Sequence, residues 1–377
     1  MTSRRNILSA LAASTGALIT GEATLASAKN ILNQGIYKAY EIGAQTGPES
    51  LRIVERPVKM PRSSEVLIKV KAASINARDH GLIANRFPVP PGRRPSTRVP
   101  LSEGAGVVIA CGNHVDNVKV GDRVTSAHFS SWIQGPWDPE QAYTSDIGNN
   151  IDGWLTELTT LPAKSLVKLP DNISEETAAT FVSSGVTAWH ALYETARIKP
   201  GNIVLSLGTG GVSSFGIQLA KHSGATTIVT SSSDTKLQAM KQNGADIGIN
   251  YKTNPDWGQQ VMAVTNGYGA DIILENVGRK TLDQSLLSAA TNSYVVMIGT
   301  GRLPEQLPKM PGLFMKNITM KAISNASAEM LAKMVKAYSA SNLEPLIAGK
   351  FDFLDAAKAF QIQKQHIEVG KVIIEIN

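Results

Sequence analysis

The stretch "IVLSLGTGGVSSFGIQLAKHSGA" carries the clearest chemistry in the chain. An apolar run leads into Gly208-Thr209-Gly210-Gly211, and Val212, Phe215 and Leu219 then recur at helical spacing. A strand that turns through glycines into a helix offers free amides and the positive end of the helix dipole to an anion. Gly208 allows the tight turn and Gly210 lets the backbone approach phosphates, so the pattern fits the pyrophosphate of a dinucleotide. Ser213 stands where the third glycine is expected, and it is small enough to keep the helix near the strand. The next predicted strand ends in "IVTSSSDTK". An acidic residue at its end would hold the ribose hydroxyls of NAD. Ser231 takes that place here, followed by Ser232, Ser233 and Lys236. Hydroxyls and an ammonium favour a 2′-phosphate, so NADP(H) is expected ahead of NAD(H). The same residues also read as a helix cap at Ser233 or Asp234, and the two readings are compatible.

Metal and thiol chemistry have little to work with. None of the six histidines (His80, His114, His128, His190, His222, His366) has a partner at H-x-x-x-H spacing, so a protein-built zinc site is not expected. Cys111 is the only cysteine and lies in the alternating run "GVVIACGNHV", where it reads as a buried core thiol.

These residues need elements to hold them. From residue 36 to about residue 165 the chain reads as strands and turns, with "EVLIKVKAASIN", "GAGVVIACG" and "VKVGDRVTSA" as the clearest. They suggest a β-rich, barrel-like domain with inserted loops. A helix capped at Ser174 by a capping box is expected to open "ISEETAATFVSSGVTAWHAL". From Asn202 to about Ala322 short apolar strands alternate with helices, the pattern of a Rossmann-type, doubly wound parallel sheet. The closing "GKVIIEIN" reads as a strand returning to the first domain. The expected division is therefore a leader at 1–28, a β-rich catalytic domain at 29–165, a dinucleotide-binding domain at 166–340 and a return to the catalytic domain at 341–377.

The leader is an address. Arg4 and Arg5 precede an uncharged run from Ile7 to Ile19, and Ala26-Ser27-Ala28 offers a cleavage site before Lys29. The order Ser3-Arg4-Arg5-Asn6-Ile7-Leu8 resembles a twin-arginine signal, which implies an exported, periplasmic protein. An ordinary secretory signal or an uncleaved leader are the alternatives. After cleavage the net charge is +5, with no Lys/Arg-rich block, so no nucleic-acid partner is expected, and no later run is long enough to span a membrane. Arg93, Arg94 and Arg98 sit in a Pro-rich stretch read as a solvated loop.

The stretches "ASINARD", "VPLSEGAG", "VKVGDRV", "SGVTAWHAL", "GTGGVS", "GADIGINY" and "GKVII", in this order, resemble the medium-chain dehydrogenase/reductase superfamily, particularly its zinc-free quinone-reductase-like branch. The resemblance covers about residues 36–377. It implies that Asn76, Ser102 and Ser183 stand where zinc-dependent members carry Cys, His and Cys, with Glu103 retained. It also implies that Asn76 lies near the nicotinamide and donates to an acceptor oxygen, and that Ala77 replaces a common tyrosine. Asp79 would anchor the loop. His80 reads either as a proton relay or as a packing residue. Thr187 would touch the nicotinamide side and Tyr251 the adenosine side, while Asn276, Gly299 and Thr300 lie at strand ends where ligands collect. Phe129, Trp132 and Trp137 would either wall an aromatic acceptor's pocket or pack their own loop. "ISNASAEM" departs from the Gly-Ser-Arg of relatives. The strand in "NITMKAIS" would be the edge of a homodimer.

Without zinc as a Lewis acid, hydride delivery to a conjugated acceptor is the easier reaction. The expected function is an NADP(H)-dependent reductase of a quinone or α,β-unsaturated carbonyl. An alcohol or aldehyde dehydrogenase and a non-catalytic cofactor-binding protein are the alternatives. If the leader is a twin-arginine signal, the α/β domain could fold around NADP(H) before export and carry it out.

Overall fold

The computed structural model describes residues 26, 29–43, 45–86, 97–299, 311–365 and 369–377. The leader, apart from Ala26, lies outside the described residues, as do Arg93, Arg94, Thr300 and His366.

Two large sheets organise the chain. The first is mixed and seven-stranded, built from β3 (Glu65–Ile75), β4 (Glu103–Cys111), β5 (Arg123–Ser126), β6 (Leu158–Pro162), β7 (Leu166–Lys168), β14 (Ile347–Asp352) and β15 (Lys371–Glu375). Its order is β14-β15-β3-β4-β5-β7, with β6 also pairing with β3. β3 and β4 hold it together because both are buried over nearly their whole length. β1 (Ile36–Ile42) and β2 (Leu51–Pro57) form a separate antiparallel pair. The return of the chain to this sheet is direct: β15 runs antiparallel to β3, with Val372 opposite Ile75.

The second sheet has six strands, all parallel, as expected for a doubly wound fold. It contains β8 (Ile203–Leu207), β9 (Thr226–Ser231), β10 (Ile247–Asn250), β11 (Ala270–Glu275), β12 (Ala289–Met297) and β13 (Thr319–Ala322). The order β10-β9-β8-β11-β12-β13 reverses direction between β8 and β11. Such a switch point leaves a crevice at the strand ends where ligands bind, and the Gly-rich turn follows β8 there. The strand in "NITMKAIS" is the sheet's outer edge, β13, and all four of its residues are exposed.

The two sheets meet in a shared hydrophobic cluster, beside a separate core on each. Ala72 and Ala105 of the mixed sheet pack in a single cluster with Phe181, Phe215, Ile272 and Leu274 of the other half. A further joint links Gly210 to Gly370 as a bridge, so the Gly-rich turn touches the residue just before β15.

Three expectations need correction. Arg98 is not a solvated loop residue: it is 1% exposed, and its carbonyl accepts the Ile42 amide, which ties the segment to β1. Cys111 is on the expected strand but is only half-buried, because it is the last residue of β4 and β4 leaves the core there. Ser174 does cap the helix Glu175–Ala178 by accepting the Thr177 amide at 3.0 Å. The reciprocal half of the box is missing because the third helical position is Thr177 rather than a glutamate.

Candidate active site

The Gly-rich turn has the shape an anion requires. Gly208 has φ +82°, a conformation that favours glycine. A Cβ at Gly208 or at Gly210 would meet nothing within 4 Å, so both backbones are open to a ligand. Gly211 differs: a Cβ there would lie 2.4 Å from Ser184 Oγ and 2.6 Å from Lys371 Cδ, so the helix Gly211–His222 can start here only on a glycine. The close approach of that helix to the sheet falls three positions later than the expected third glycine, about one helical turn on. Gly216, not position 213, lies against the sheet, with Leu274 Cδ1 2.4 Å from where its Cβ would be. Ser213 binds the strand instead, its hydroxyl donating to the Leu207 carbonyl at 2.9 Å. Open glycine backbones before a helix N-terminus at the switch point fit a dinucleotide pyrophosphate.

Below this turn lies a buried charged cluster from four distant parts of the chain. β3 ends at Ile75 and the helix Ala77–Ile83 begins, with Asn76 as the junction. Asp79 Oδ2 accepts the Asn76 amide at 2.7 Å and so holds the junction. The Lys371 ammonium donates to Glu103 Oε1, to the Ile75 carbonyl at 3.0 Å and to Asn76 Oδ1 at 2.6 Å. Glu103 Oε2 accepts the Ser183 amide at 2.6 Å, and Ser184 Oγ donates to Asn76 Oδ1 at 3.2 Å. Lys371 is 3% exposed and Glu103 0%. A buried ion pair survives when its remaining donors and acceptors are satisfied. Here the pair accounts for both carboxylate oxygens and three ammonium bonds. Asn76 Nδ2 and Ser102 Oγ, by contrast, are buried with no partner among the described residues.

Thus three of the four positions associated with zinc in relatives carry neutral side chains, and the fourth, Glu103, faces an ammonium. Among the described residues no group of three or more His, Cys, Asp or Glu could hold a metal ion. Lys371 is the residue that sequence reasoning missed. It lay in the quoted "GKVII", but nothing in that stretch says which distant carboxylate it meets.

A second buried cluster supports the junction. Arg78 makes two bonds to Asp146, at 2.9 and 2.7 Å, and also meets His128. Burial and the Arg78 guanidinium hold the His128 imidazole well below its ordinary range, so it is neutral. Burial pushes the Asp79 carboxyl up to about 7, against the opposing pull of Arg78.

The remaining expected residues fall in different places. Thr187 is buried one turn after Ser184, on the helical run that reaches the Gly-rich turn. Ser231 ends β9 beside that turn: Leu207 pairs with Thr230, and the Gly208 amide donates to the Thr230 carbonyl at 3.0 Å. Ser233 is the helix cap, accepting the Lys236 amide at 3.4 Å, while Ser232 and Lys236 are half-buried beside it. Tyr251 is 41% exposed next to Ser231, whose carbonyl accepts its amide. Asn276 braces the turn from behind, donating to Ser213 Oγ at 2.9 Å and to the Leu207 carbonyl at 3.3 Å. Gly299 lies against it, and a Cβ there would come 2.2 Å from the Asn276 carbonyl oxygen.

His80 is turned to another helix. Its Nε2 meets Gln363 Oε1 at 2.5 Å and its ring packs edge-on to Phe360, which is the packing reading rather than the relay. Phe129, Trp132, Trp137 and Tyr143 pack on one another, with the Phe129–Trp137 and Trp132–Trp137 centroids each 4.9 Å apart. Their loop clasps the departing "ISNASAEM" segment: the Trp132 and Ile133 carbonyls accept the Ala328 and Glu329 amides. A groove of about 500 Å³ between β7 and the helix Ala328–Ser341, lined by Leu166, Val335 and Lys336, shares no residue with the charged cluster.

A parallel switch-point sheet joined to a mixed sheet across a glycine turn is an architecture suited to dinucleotide binding. Residues 62–171 match the alcohol dehydrogenase GroES-like domain, and residues 211–340 match the zinc-binding dehydrogenase domain. The chain is 35% identical to a zinc-type alcohol dehydrogenase-like protein of Schizosaccharomyces pombe, over 88% of this chain and 96% of that protein. The solved quinone oxidoreductase of Pseudomonas syringae is 29% identical with a TM-score of 0.73, covering 90% of this chain and 99% of that one. A mycobacterial protein solved in complex with NADPH is 27% identical with a TM-score of 0.74, again over 90% and 99%. The chain belongs to the medium-chain dehydrogenase/reductase superfamily, and it is an oxidoreductase.

Proposed function

We propose that this protein is a zinc-independent, NADP(H)-dependent reductase that delivers hydride to a quinone or an α,β-unsaturated carbonyl. The observation that carries this reading is the Lys371–Glu103 pair beside Asn76, Ser102 and Ser183. Neutral oxygens and a carboxylate already held by an ammonium are a poor donor set for zinc. The quinone oxidoreductase of similar fold supports the acceptor class, and the NADPH-bound relative supports the cofactor.

The dinucleotide supplies the hydride when bound. Gly208 and Gly210 would receive its pyrophosphate on open backbone, and the helix Gly211–His222 would face it with free amides. Ser231, Ser232 and Lys236 would meet the 2′-phosphate at the end of β9, with Tyr251 beside the adenine and Thr187 at the nicotinamide end. The acceptor gains a hydride and takes one proton from solvent. Charge developing on its conjugated oxygen needs only hydrogen-bond donors in a dry site. We also propose export by the twin-arginine leader, and homodimer formation through β13, whose four residues are all exposed.

The test is NADPH and NADH oxidation by the purified mature chain with 1,4-naphthoquinone, an enone and an aldehyde, alongside alcohol oxidation and metal analysis. Quinone or enone reduction with NADPH by metal-free protein is expected. Alcohol oxidation that requires about one zinc per chain would refute the reading and return the zinc-type alcohol dehydrogenase alternative. Cofactor binding without any turnover would favour the non-catalytic one.

A further inference from the structure

We propose that Lys371 is a positioning residue that fixes the Asn76 carboxamide so that Nδ2 is the hydrogen-bond donor to the acceptor's oxygen. The inference rests on the reductase reading of this same site. Its first support is the chemistry of the donors. An asparagine amide can normally be turned over at no cost, exchanging oxygen for nitrogen. Here it cannot. An ammonium has three donors and no acceptor, so the atom that faces Lys371 Nζ at 2.6 Å has to be the oxygen. Ser184 Oγ donates to the same atom at 3.2 Å. Glu103 locks the ammonium from the other side, with its second oxygen held by the Ser183 amide.

The second support is what this leaves over. Asn76 is 8% exposed, and Nδ2 has no partner among the described residues. A buried donor left unmet is costly and rare, and in a working site it marks the place of a missing acceptor. The oxygen of a carbonyl acceptor is such a group. A lysine that draws electron density from Oδ1 also makes the N–H on the other end of the amide a stronger donor, since hydrogen bonds in series polarise one another. The positive charge that a metal would place on the acceptor oxygen would here be passed through a neutral amide. Asp79 completes the arrangement by holding the Asn76 backbone amide.

The test uses Asn76→Asp, Asn76→Leu, Lys371→Gln and Lys371→Arg, with NADPH and 1,4-naphthoquinone as probes. Asn76→Asp and Asn76→Leu both remove the donor, but only Asp keeps an acceptor for Lys371 and Ser184. Without any ligand, Asn76→Asp is expected to melt above Asn76→Leu by about 3 °C or more. With ligands, Asn76→Asp is expected to lose about 10²- to 10³-fold in kcat, while NADPH affinity stays within about threefold. A glutamine at 371 can offer either end of its amide, so Lys371→Gln releases the orientation and is expected to lose roughly tenfold in kcat. Lys371→Arg, again a donor without an acceptor, is expected to recover most of that loss. A leucine variant as thermostable as the aspartate variant overturns the orientation, whether or not the enzyme turns over. An aspartate variant with wild-type kcat overturns the donor role, and equal kcat for the Gln and Arg variants overturns the role of Lys371. Failure of the wild-type protein to reduce 1,4-naphthoquinone would count against the reductase reading alone, because the melting comparison still decides the orientation.

Discussion

Asp79→Asn isolates the cost of burying a carboxyl beneath the Asn76 junction. Asp79 is fully buried, and among the described residues its Oδ2 has one partner, the Asn76 amide, and Oδ1 has none. Burial raises its pKa from 3.8 to about 7. The sign follows from proton counting. Between those two values the unfolded chain has released the proton while the folded chain keeps it, so stability falls as pH rises through that window. It is level below the lower value and again above the higher one. Asparagine keeps an oxygen for the Asn76 amide, has nothing to ionise, and puts its NH2 where the carboxyl proton would be. From those two pKa values, the stability of Asp79→Asn relative to wild type should grow by about 3 kcal/mol between about pH 4.5 and pH 7.5. Urea unfolding followed by tryptophan fluorescence at several pH values measures this difference. A difference that stays constant within about 1 kcal/mol across the range would refute the reasoning, because it would mean that Asp79 is ionised in the fold at neutral pH and that Arg78 wins over burial.

Gly210→Ala separates binding from folding: φ at Gly210 is −79° and the space for a Cβ is empty, so stability should change by no more than about 1 kcal/mol while NADPH affinity falls at least about tenfold. Titration of NADPH fluorescence beside a melting curve checks it; undiminished affinity would remove the turn from the binding site. Leu101 is fully buried with φ +71°. Leu101→Gly should therefore release about 1 kcal/mol of backbone strain but lose about 2–5 kcal/mol of packing, for a lower melting temperature overall. A higher one would show that strain dominates. Ser231→Asp should weaken NADPH binding by about tenfold or more and leave NADH little affected, as read from the ratio of kcat/KM for the two cofactors. An unchanged ratio would place the 2′-phosphate elsewhere.

What could be read from the sequence depended on how far apart the cooperating residues lie. The β8–turn–helix unit is local: an apolar strand, glycines and a helical repeat all sit within about two dozen residues, and the helices Gly211–His222 and Asp234–Gln242 are found where the sequence pattern places them, whereas Trp257–Val264 and Leu282–Ser288 are not singled out by it. Ser233 as a cap and Asp79 as an anchor are local too, each acting within three residues of its own position. The misreadings came where a local pattern had to stand for a distant neighbour. Ser213 does keep the helix near the strand, through its hydroxyl on the Leu207 carbonyl, and what the sequence did not show is the second close contact, Gly216 against Leu274 of β11. Arg98 looked solvated because its surroundings are rich in proline and charge, although the loop is pulled against β1 by the Ile42 amide. His80 offered a titratable ring one turn from Asn76, and only the fold shows the ring facing Gln363, 283 positions away.

The charged cluster is the extreme case. Asn76, Glu103, Ser183 and Lys371 come from four separate segments, and neither composition nor spacing links the last of them to the first. What joins them is the antiparallel pairing of β15 with β3, in which Val372 faces Ile75 and Lys371 is therefore carried to the end of the strand where Asn76 begins the next helix. β4 brings Glu103 opposite Ser74 in the same sheet, one strand further in. The bridge from Gly370 to Gly210 then sets this end of β15 against the Gly-rich turn of the other sheet. One residue thus stands at the contact between the two domains, with its stem under the turn and its ammonium on the junction. Moving the two sheets relative to each other would shift Lys371 against Gly211, whose absent Cβ leaves the room that the lysine stem fills. The grip on the Asn76 amide is made within the mixed sheet, and the contact between the sheets bears on it only through the lysine stem packed against Gly211.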